Sequence, residues 1–165
     1  MKERIIKAEI FECKYNELSL RYKQIVDIAK EKAGTAYAPY SKFYVGAAVL
    51  LENGKIIGGS NQENSASPDT LCAERVAMLY ANAEYPDVAP QAIAVAAYTN
   101  GSFLPDPISP CGSCRQVLLE SEVRYKKPIE VVLYGEERIY ILKNIKQLLP
   151  LCFEKSSLRL DESKI

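Results

Sequence analysis

Histidine is absent from the sequence, and this absence restricts the possible chemistry more than any other feature of the composition. Without imidazole as a metal ligand or general base, hydrolytic chemistry would have to use a carboxylate, a thiol or an amine. Net charge is absent as well, because 21 basic residues balance 21 acidic ones. Since no overall positive field would attract a polyanion, the composition argues against a protein that acts on nucleic acid.

Long apolar runs and a signal peptide are also missing, so the sequence predicts no association with a membrane. The 5 cysteines are an odd number and do not suggest a disulfide framework. They predict free thiols in a reducing environment, and therefore a cytoplasmic protein. The length of 165 residues indicates one domain that is large enough to build a core.

Three of the cysteines form the most informative pattern in the chain. Cys72 precedes Ala-Glu-Arg, and Cys111 and Cys114 form a Cys-x-x-Cys pair that follows Pro110. Both motifs open a predicted helix, so two helix N-termini would direct their partial positive charge at one place and favour thiolates. Three protein ligands with a fourth position left to water are typical of a catalytic zinc site. The pattern therefore predicts an open zinc site with Glu74 beside it.

Two other interpretations of these cysteines are open at this point. The Cys-x-x-Cys pair could be a redox pair, but this would leave Cys-Ala-Glu unexplained, and the pair would more typically follow a strand in a thioredoxin-like pattern. The second is a non-catalytic zinc module, whose site would be closed by a fourth thiolate from Cys13 or Cys152. Without that role, these two cysteines are expected to be packing residues.

Hydrophobic periodicity and turn residues predict an alternation of helices and strands. Three helices are expected, over residues 18–32, from Cys72 onward with Thr70 as a cap, and over 111–123. Five strands are expected, over residues 43–51, 55–59, 92–98, 128–134 and 138–142. A short helix or turn is expected over 144–149. The Asn53-Gly54 pair predicts a tight hairpin between the first two strands. This order of elements predicts a mixed sheet with helices on both faces.

A Cys-x-Glu motif followed by Pro-Cys-x-x-Cys is the signature of zinc-dependent deaminases of cytosine and adenine. With cysteine in the first position, the chain resembles the cytidine deaminase family, specifically the small nucleoside enzymes with an all-cysteine zinc site. The likeness covers about residues 18 to 158. It is carried by residues 36–48 (AYAPYSKFYVGAA), 61–64 (NQEN), 72–75 (CAER), 109–116 (SPCGSCRQ) and 148–150 (LLP), followed by Phe153.

The resemblance implies an α/β fold, a three-layer α/β/α sandwich with a five-stranded mixed sheet. Residues 18–165 would form one catalytic domain, and residues 1–17 an N-terminal extension that serves as an extra edge strand or as an arm over a neighbouring subunit. One stretch departs from the family pattern. Residues 65–69 read SASPD, where family members commonly carry an aromatic residue.

The activity implied by the resemblance is zinc-dependent hydrolytic deamination of cytidine and 2'-deoxycytidine for pyrimidine salvage. The products would be uridine or 2'-deoxyuridine and ammonia, and the enzyme would be a cytoplasmic homotetramer with one zinc ion per subunit. Cys72, Cys111 and Cys114 would hold the metal, and Glu74 would act as general base and acid. Two enzymatic alternatives are a deaminase of another amino-pyrimidine, such as blasticidin S, and an editing deaminase of nucleic acid.

Substrate recognition is implied for five residues. Asn61 and Glu63 would bind the ribose 3'-hydroxyl, since two residues separated by one project the same way in an extended segment. Phe43 would pack against the base, although the pattern fits a core strand residue equally well. The backbone N–H of Ala73 and the carbonyl of Ser109 would bind the edge of the base.

Two further residues have roles implied by the same resemblance. Arg75 would donate hydrogen bonds to the ligand sulfurs and offset the negative charge of three thiolates. A solvated helix arginine is the alternative. Phe153 matches a terminal phenylalanine that reaches the site of a neighbouring subunit in tetrameric relatives, and a core position is the alternative for this residue.

Overall fold

The computed structural model describes residues 1–158, so residues 159–165 of the predicted domain 18–165 lie outside the described part. Within it, the strands are β1 (Phe11–Cys13), β2 (Tyr44–Leu51), β3 (Ile56–Ser60), β4 (Pro90–Thr99), β5 (Ser102–Phe103), β6 (Glu130–Tyr134) and β7 (Ile139–Leu142). The helices are α1 (Leu20–Ala33), α2 (Ala73–Glu84) and α3 (Gly112–Tyr125), with short 3-10 helices at Tyr15–Glu17, Ser67–Asp69, Ile145–Leu148 and Lys155–Leu158.

The strands form one mixed sheet in the order β1-β7-β6-β4-β2-β3, and β5 pairs with β4. The β4–β6 pair is parallel and the other pairs are antiparallel. The expected mixed α/β sheet is confirmed, but the expected number of five strands is wrong. The sheet has 7 strands, because β1 extends the edge beside β7 and the two-residue β5 adds to β4.

Alternate residues of the strands face two separate apolar layers, as the period of two in a strand requires. Val49 of β2 packs with residues of α2 and α3 on one face. Its neighbours Ala48 and Leu50 pack with α1 on the opposite face. The chain is therefore a three-layer α/β/α sandwich, with α2 and α3 on the same side of the sheet.

Small residues on the sheet allow the helices to approach it closely. A Cβ atom added to Gly46 of β2 would lie 1.9 Å from the backbone oxygen of Ala29 in α1. A Cβ atom on Gly59 of β3 would lie 2.6 Å from the backbone nitrogen of Ala77 in α2. The backbones of both helices thus rest directly on the sheet, which fixes the position of α2 and of the residues at its N-terminus.

Two helix starts differ from the sequence predictions. Helix α1 begins at Leu20, two residues later than expected, because the side chain of Ser19 caps it by accepting a hydrogen bond from the Tyr22 backbone N–H. The N-cap of α2 is Cys72, so the expectation of a Thr70 cap is wrong. Within residues 1–158, the helices are too short or too polar to cross a bilayer.

Candidate metal centre

Three cysteine sulfurs meet where the N-termini of α2 and α3 come together. Cys72 is the N-cap of α2, Cys111 is the N-cap of α3, and Cys114 lies in the first turn of α3. The Sγ atom of Cys111 lies 3.7 Å from that of Cys72 and 3.4 Å from that of Cys114. All three sulfurs lie within 4.8 Å of one another, so the sequence-predicted ligands are brought together.

The spacing of the sulfurs fits a tetrahedral zinc ion. Zinc–sulfur bonds of about 2.3 Å place two sulfurs of a tetrahedron about 3.8 Å apart, close to the observed separations. Within residues 1–158, the group has only these three members. Cys13 packs with the α1 layer on the opposite face of the sheet, and Cys152 packs against the core beside α2 and α3. Neither belongs to the group, so residues 1–158 supply three ligands, the number typical of a catalytic zinc site.

The pKa values of Cys72 and Cys114 show how a bound cation would act on the cluster. A hydrogen bond from the Cys114 thiol lowers the pKa of Cys72 to about 5, and hydrogen bonds from Arg75 and Cys111 act in the same direction. The same pairing, together with burial, raises the pKa of Cys114. The Cys72 thiolate is therefore paired with a Cys114 thiol that retains its proton, and a dication between them would favour ionisation of both. Three sulfurs form a donor set that zinc prefers.

Arg75 lies beside the cluster on the first turn of α2. Its Nη2 atom donates to the backbone carbonyl of Thr70 at 3.0 Å and lies 3.8 Å from the Sγ atom of Cys72. Its Nε atom is buried and has no hydrogen-bond partner among the described residues. A guanidinium in this position can share the negative charge of the sulfurs, and an interpretation as a fully solvated arginine does not fit its contacts.

Glu74 is the carboxyl group at the centre of the site. Its side chain is only 5% exposed, and burial raises its pKa, with the charge of Cys72 contributing in the same direction. It also interacts with Cys114, so it lies against the cluster. A carboxyl group with a raised pKa is better suited to accept a proton and return it, as a general base and acid must.

Asn61 and Glu63 follow β3 and both reach towards the segment before β2. The buried side chain of Asn61 accepts a hydrogen bond from the Val45 backbone N–H at 2.8 Å and donates one to the Phe43 carbonyl at 3.0 Å. The carboxylate of Glu63 accepts from the backbone N–H groups of Tyr40 and Ser41, at 2.9 and 3.3 Å. Hydrogen bonding to Ser41 is the main cause that lowers the pKa of Glu63.

Glu63 also lines an open cavity of about 590 Å³, which lies in the range of small-molecule sites. The cavity is lined by Tyr40, Ser41, Glu63, Asn64, Ser65, Ser67 and Thr70. Thr70 connects it to the cluster, because its carbonyl accepts the hydrogen bond from Arg75. The polar loop that departs from the family pattern is therefore a wall of this cavity, next to the metal centre.

Three other predicted site residues flank these groups. Ala73 is buried as the first residue of α2, where backbone N–H groups lack partners within the helix. Ser109 is exposed in the loop that leads into Cys111, and Phe43 is half-buried immediately before β2. Phe43 was expected to be the first residue of this strand, but β2 begins one residue later.

Phe153 is 59% exposed, so the alternative of a core phenylalanine is wrong. Its backbone carbonyl accepts a hydrogen bond from the side chain of Gln116 at 2.9 Å. Sequence reasoning gave Gln116 no role. The residue is visible only as part of the Cys-Arg-Gln motif, and nothing in that motif indicates which distant carbonyl its amide would bind.

Comparison with known proteins agrees with this geometry. A family model described as the cytidine and deoxycytidylate deaminase zinc-binding region matches residues 20–127, which include all three cysteines. A cytidine deaminase of Sporosarcina psychrophila is 46% identical over 98 residues, 59% of this chain and 68% of that protein. A probable cytidine deaminase of Dictyostelium discoideum is 36% identical over 137 residues, 82% of this chain and 86% of that protein.

Solved structures give the same result for the fold. The crystal structure of a cytidine deaminase from Burkholderia pseudomallei superposes with a TM-score of 0.67 at 38% identity. The match covers 80% of this chain and 98% of that one. The similarity therefore covers most of the chain and is not confined to the zinc-binding motifs.

Proposed function

Because the chain belongs to the cytidine and deoxycytidylate deaminase family, we propose that it deaminates cytidine and 2'-deoxycytidine hydrolytically in pyrimidine salvage. The products are uridine or 2'-deoxyuridine and ammonia. The observation that carries this proposal is the cluster of three sulfurs with a buried carboxyl group against it. No other group of the described residues combines metal ligands with a proton carrier in this way.

Cys72, Cys111 and Cys114 would hold one zinc ion per subunit. When bound, zinc supplies an acidified water molecule at neutral pH. Arg75 keeps the cluster from carrying the full charge of three thiolates, because its guanidinium donates towards the Cys72 sulfur. The ligands sit on the rigid starts of two helices, so the site is organised before substrate arrives.

Glu74 moves the two protons that the reaction requires. It takes one proton from the attacking water and passes it to N3 of the pyrimidine as oxygen bonds to C4. The second proton of the same water then passes through Glu74 to the amino group. The C4–N bond breaks, ammonia leaves, and a carbonyl remains at C4. The raised pKa of the buried carboxyl group suits this alternation between base and acid.

The nucleoside would be held by the predicted recognition residues. Asn61 and Glu63 bind the ribose 3'-hydroxyl, which is supported by the hydrogen bonds that hold both side chains against the backbone between Tyr40 and Val45. Phe43 packs against the base, and the N–H of Ala73 with the carbonyl of Ser109 binds its edge. Ala73 follows Cys72 and Ser109 lies two residues before Cys111, so a base bound by these two groups would have its edge beside the metal ligands.

The assembly we propose is a cytoplasmic homotetramer in which Phe153 reaches the site of a neighbouring copy. An exposed phenylalanine on a segment held by α3 supports this role. Residues 18–165 would be the catalytic domain, and residues 1–17 an extension. Strand β1, which belongs to this extension, forms the edge of the sheet beside β7. The balanced charge of the chain argues against nucleic acid as the substrate.

A panel of substrates tests this function. The purified protein is incubated with cytidine, 2'-deoxycytidine, blasticidin S and a cytosine-containing single-stranded oligonucleotide, and ultraviolet absorbance and ammonia are followed. We expect conversion of the first two only. Conversion of blasticidin S alone would assign the chain to the alternative amino-pyrimidine, and conversion of the oligonucleotide alone would indicate an editing enzyme.

A further inference from the structure

Helix α3, which carries two of the three cysteines, also holds the segment that follows β7. The segment consists of residues 145–153, and we call it the C-terminal segment. At its start, the buried carboxylate of Glu122 accepts a hydrogen bond from the Ile145 backbone N–H at 3.0 Å. In its middle, Nη1 of Arg115 donates to the Leu148 carbonyl at 2.5 Å. Arg115 also donates to the Pro110 carbonyl, so the same side chain holds the turn before Cys111.

The end of the segment is held by Gln116. Its Nε2 atom donates to the backbone carbonyl of Phe153 at 2.9 Å. Gln116 lies two residues after Cys114 on α3, so the contact joins Phe153 to the part of the helix next to the metal centre. Because the amide binds the backbone of Phe153 and not its ring, the phenyl group remains free to point outward, and its exposure of 59% shows that it does.

Leu149 and Cys152 pack against the core on either side of Pro150 and Leu151, whereas the side chain of Phe153 is exposed. Residues 149–154 lie between two short 3-10 helices and have no regular structure. Leu151 adopts a left-handed conformation with φ of 54° and is almost fully exposed, so the chain reverses there without burying that side chain. An irregular segment loses conformational entropy when it is fixed, and the hydrogen bond from Gln116 adds to the packing of Cys152 in fixing the backbone at Phe153.

We propose that Gln116 is a positioning residue that fixes the backbone at Phe153, so that the phenyl ring is presented to the nucleoside site of a second copy. The inference rests on the proposed function and on the place of Phe153 in it. Gln116 touches no substrate and acts only through Phe153. Helix α3, which carries two of the three cysteines, thereby positions the phenyl ring that its subunit supplies to the neighbouring subunit.

The test compares Gln116→Met with Gln24→Met in the zinc-loaded protein. Methionine keeps the length and helix propensity of glutamine but cannot donate, and Gln24 is an exposed residue of α1. For Gln116→Met we expect the KM for cytidine to rise about three- to tenfold at nearly unchanged kcat, as the loss of one hydrogen bond that acts on binding predicts. Zinc content stays at the wild-type value in both variants, and Gln24→Met keeps the wild-type KM.

Two further readouts separate positioning from a general structural effect. Backbone amides of residues 149–158 should exchange hydrogen faster in Gln116→Met than in the wild type and in Gln24→Met. In a Phe153→Ala background, Gln116→Met should raise the KM no further, because the two residues act as one unit.

Three outcomes would overturn the inference. One is a KM increase of equal size in the Phe153→Ala background, since Gln116 would then act through another group. Another is wild-type turnover of cytidine combined with unchanged KM and unchanged exchange in Gln116→Met, which contradicts the inference alone. The third is an inactive zinc-loaded wild-type protein, which overturns the proposed function and removes the role of Phe153 with it.

Discussion

At the scale of single residues, the charge on the three sulfurs governs how the site can work. Thiolates that lie within 4.8 Å of each other repel, and each one that ionises makes ionisation of the next more difficult. The guanidinium of Arg75 is the cationic side chain that contacts Cys72, and its hydrogen bond contributes to the lowered pKa of that thiol. The affinity of the cluster for a metal should therefore depend on a side chain that is not itself a ligand.

Replacement of Arg75 by alanine should weaken zinc binding about 10- to 100-fold. Without the guanidinium the pKa of Cys72 rises, and since the metal needs the thiolate, zinc should be lost at a higher pH on acidification than in the wild type. The measurement is competition with a chromogenic chelator between pH 5 and 8. Arg124→Ala is the control, because Arg124 lies on the exposed side of α3 and binds the Pro86 carbonyl. Equal zinc affinity in both variants would contradict this role of Arg75.

The ligands and Glu74 could be recognised from spacing alone, whereas the partners of other site residues could not. Cysteine and glutamate within four residues, with a distant Cys-x-x-Cys, already specify metal chemistry. The contacts of Asn61 to the backbone at Val45 and Phe43 depend on how β3 leaves the sheet beside β2. No local pattern encodes that geometry, because it arises only when the two strands pair.

At the scale of elements, α3 links the metal centre to the C-terminal segment, and Glu122 is its buried anchor. One carboxylate oxygen accepts from the Ile129 N–H at 2.9 Å and the other from the Ile145 N–H at 3.0 Å. Burial raises the pKa of Glu122, although both hydrogen bonds act against this shift. A carboxylate with two acceptor atoms satisfies both backbone donors, and a glutamine side chain can satisfy only one.

Glu122→Gln should lower the free energy of unfolding by about 1–3 kcal/mol, because one buried N–H loses its acceptor. The raised pKa fixes the sign of the pH dependence. The native state binds more protons than the unfolded state, so the contribution of Glu122 is fully present below the unfolded pKa and is lost as pH rises through the folded pKa. The difference in free energy of unfolding between wild type and Glu122→Gln should therefore become smaller as pH rises.

Urea unfolding between pH 4 and 8 measures this deficit, with the exposed Glu120→Gln on the same helix as the control. A deficit that is independent of pH, or equal in the two variants, would contradict the anchoring role.

Most elements could be predicted from periodicity and turn residues, but β5 could not. A two-residue strand has no pattern of its own and exists only because it pairs with the end of β4. The N-cap of α2 was also missed, because Thr70 is the better capping residue by propensity.

At the scale of the whole molecule, Phe153 provides a test of assembly. Glu74→Gln subunits lack the proton carrier but retain Phe153, and Phe153→Ala subunits have the opposite defect. If each site receives Phe153 from another copy, tetramers refolded from an equal mixture should contain repaired sites. The kcat/KM for cytidine per Phe153→Ala chain should then rise severalfold above that of Phe153→Ala alone.

The matched control mixes Phe153→Ala with a Glu74→Gln, Phe153→Ala double variant, which supplies partners without the ring and should give no gain. Sedimentation should show four copies in each sample. A mixture no more active than its control would mean that Phe153 acts within its own subunit or not at all. This feature of the assembly could be inferred from the sequence only through the family resemblance, since composition carries no signal for where an exposed ring will bind.

A comparison of wild type with Glu74→Gln separates proton transfer by Glu74 from metal binding by the three cysteines. Wild type and Glu74→Gln are incubated with cytidine, the fall in ultraviolet absorbance is followed, and zinc is measured on both samples. We predict one zinc per subunit in both proteins, with turnover in the variant reduced at least about 10²- to 10⁴-fold, because an amide cannot carry the proton. Comparable turnover in Glu74→Gln would contradict the role of Glu74 as proton carrier, and zinc-loaded wild type without turnover would contradict the proposed function.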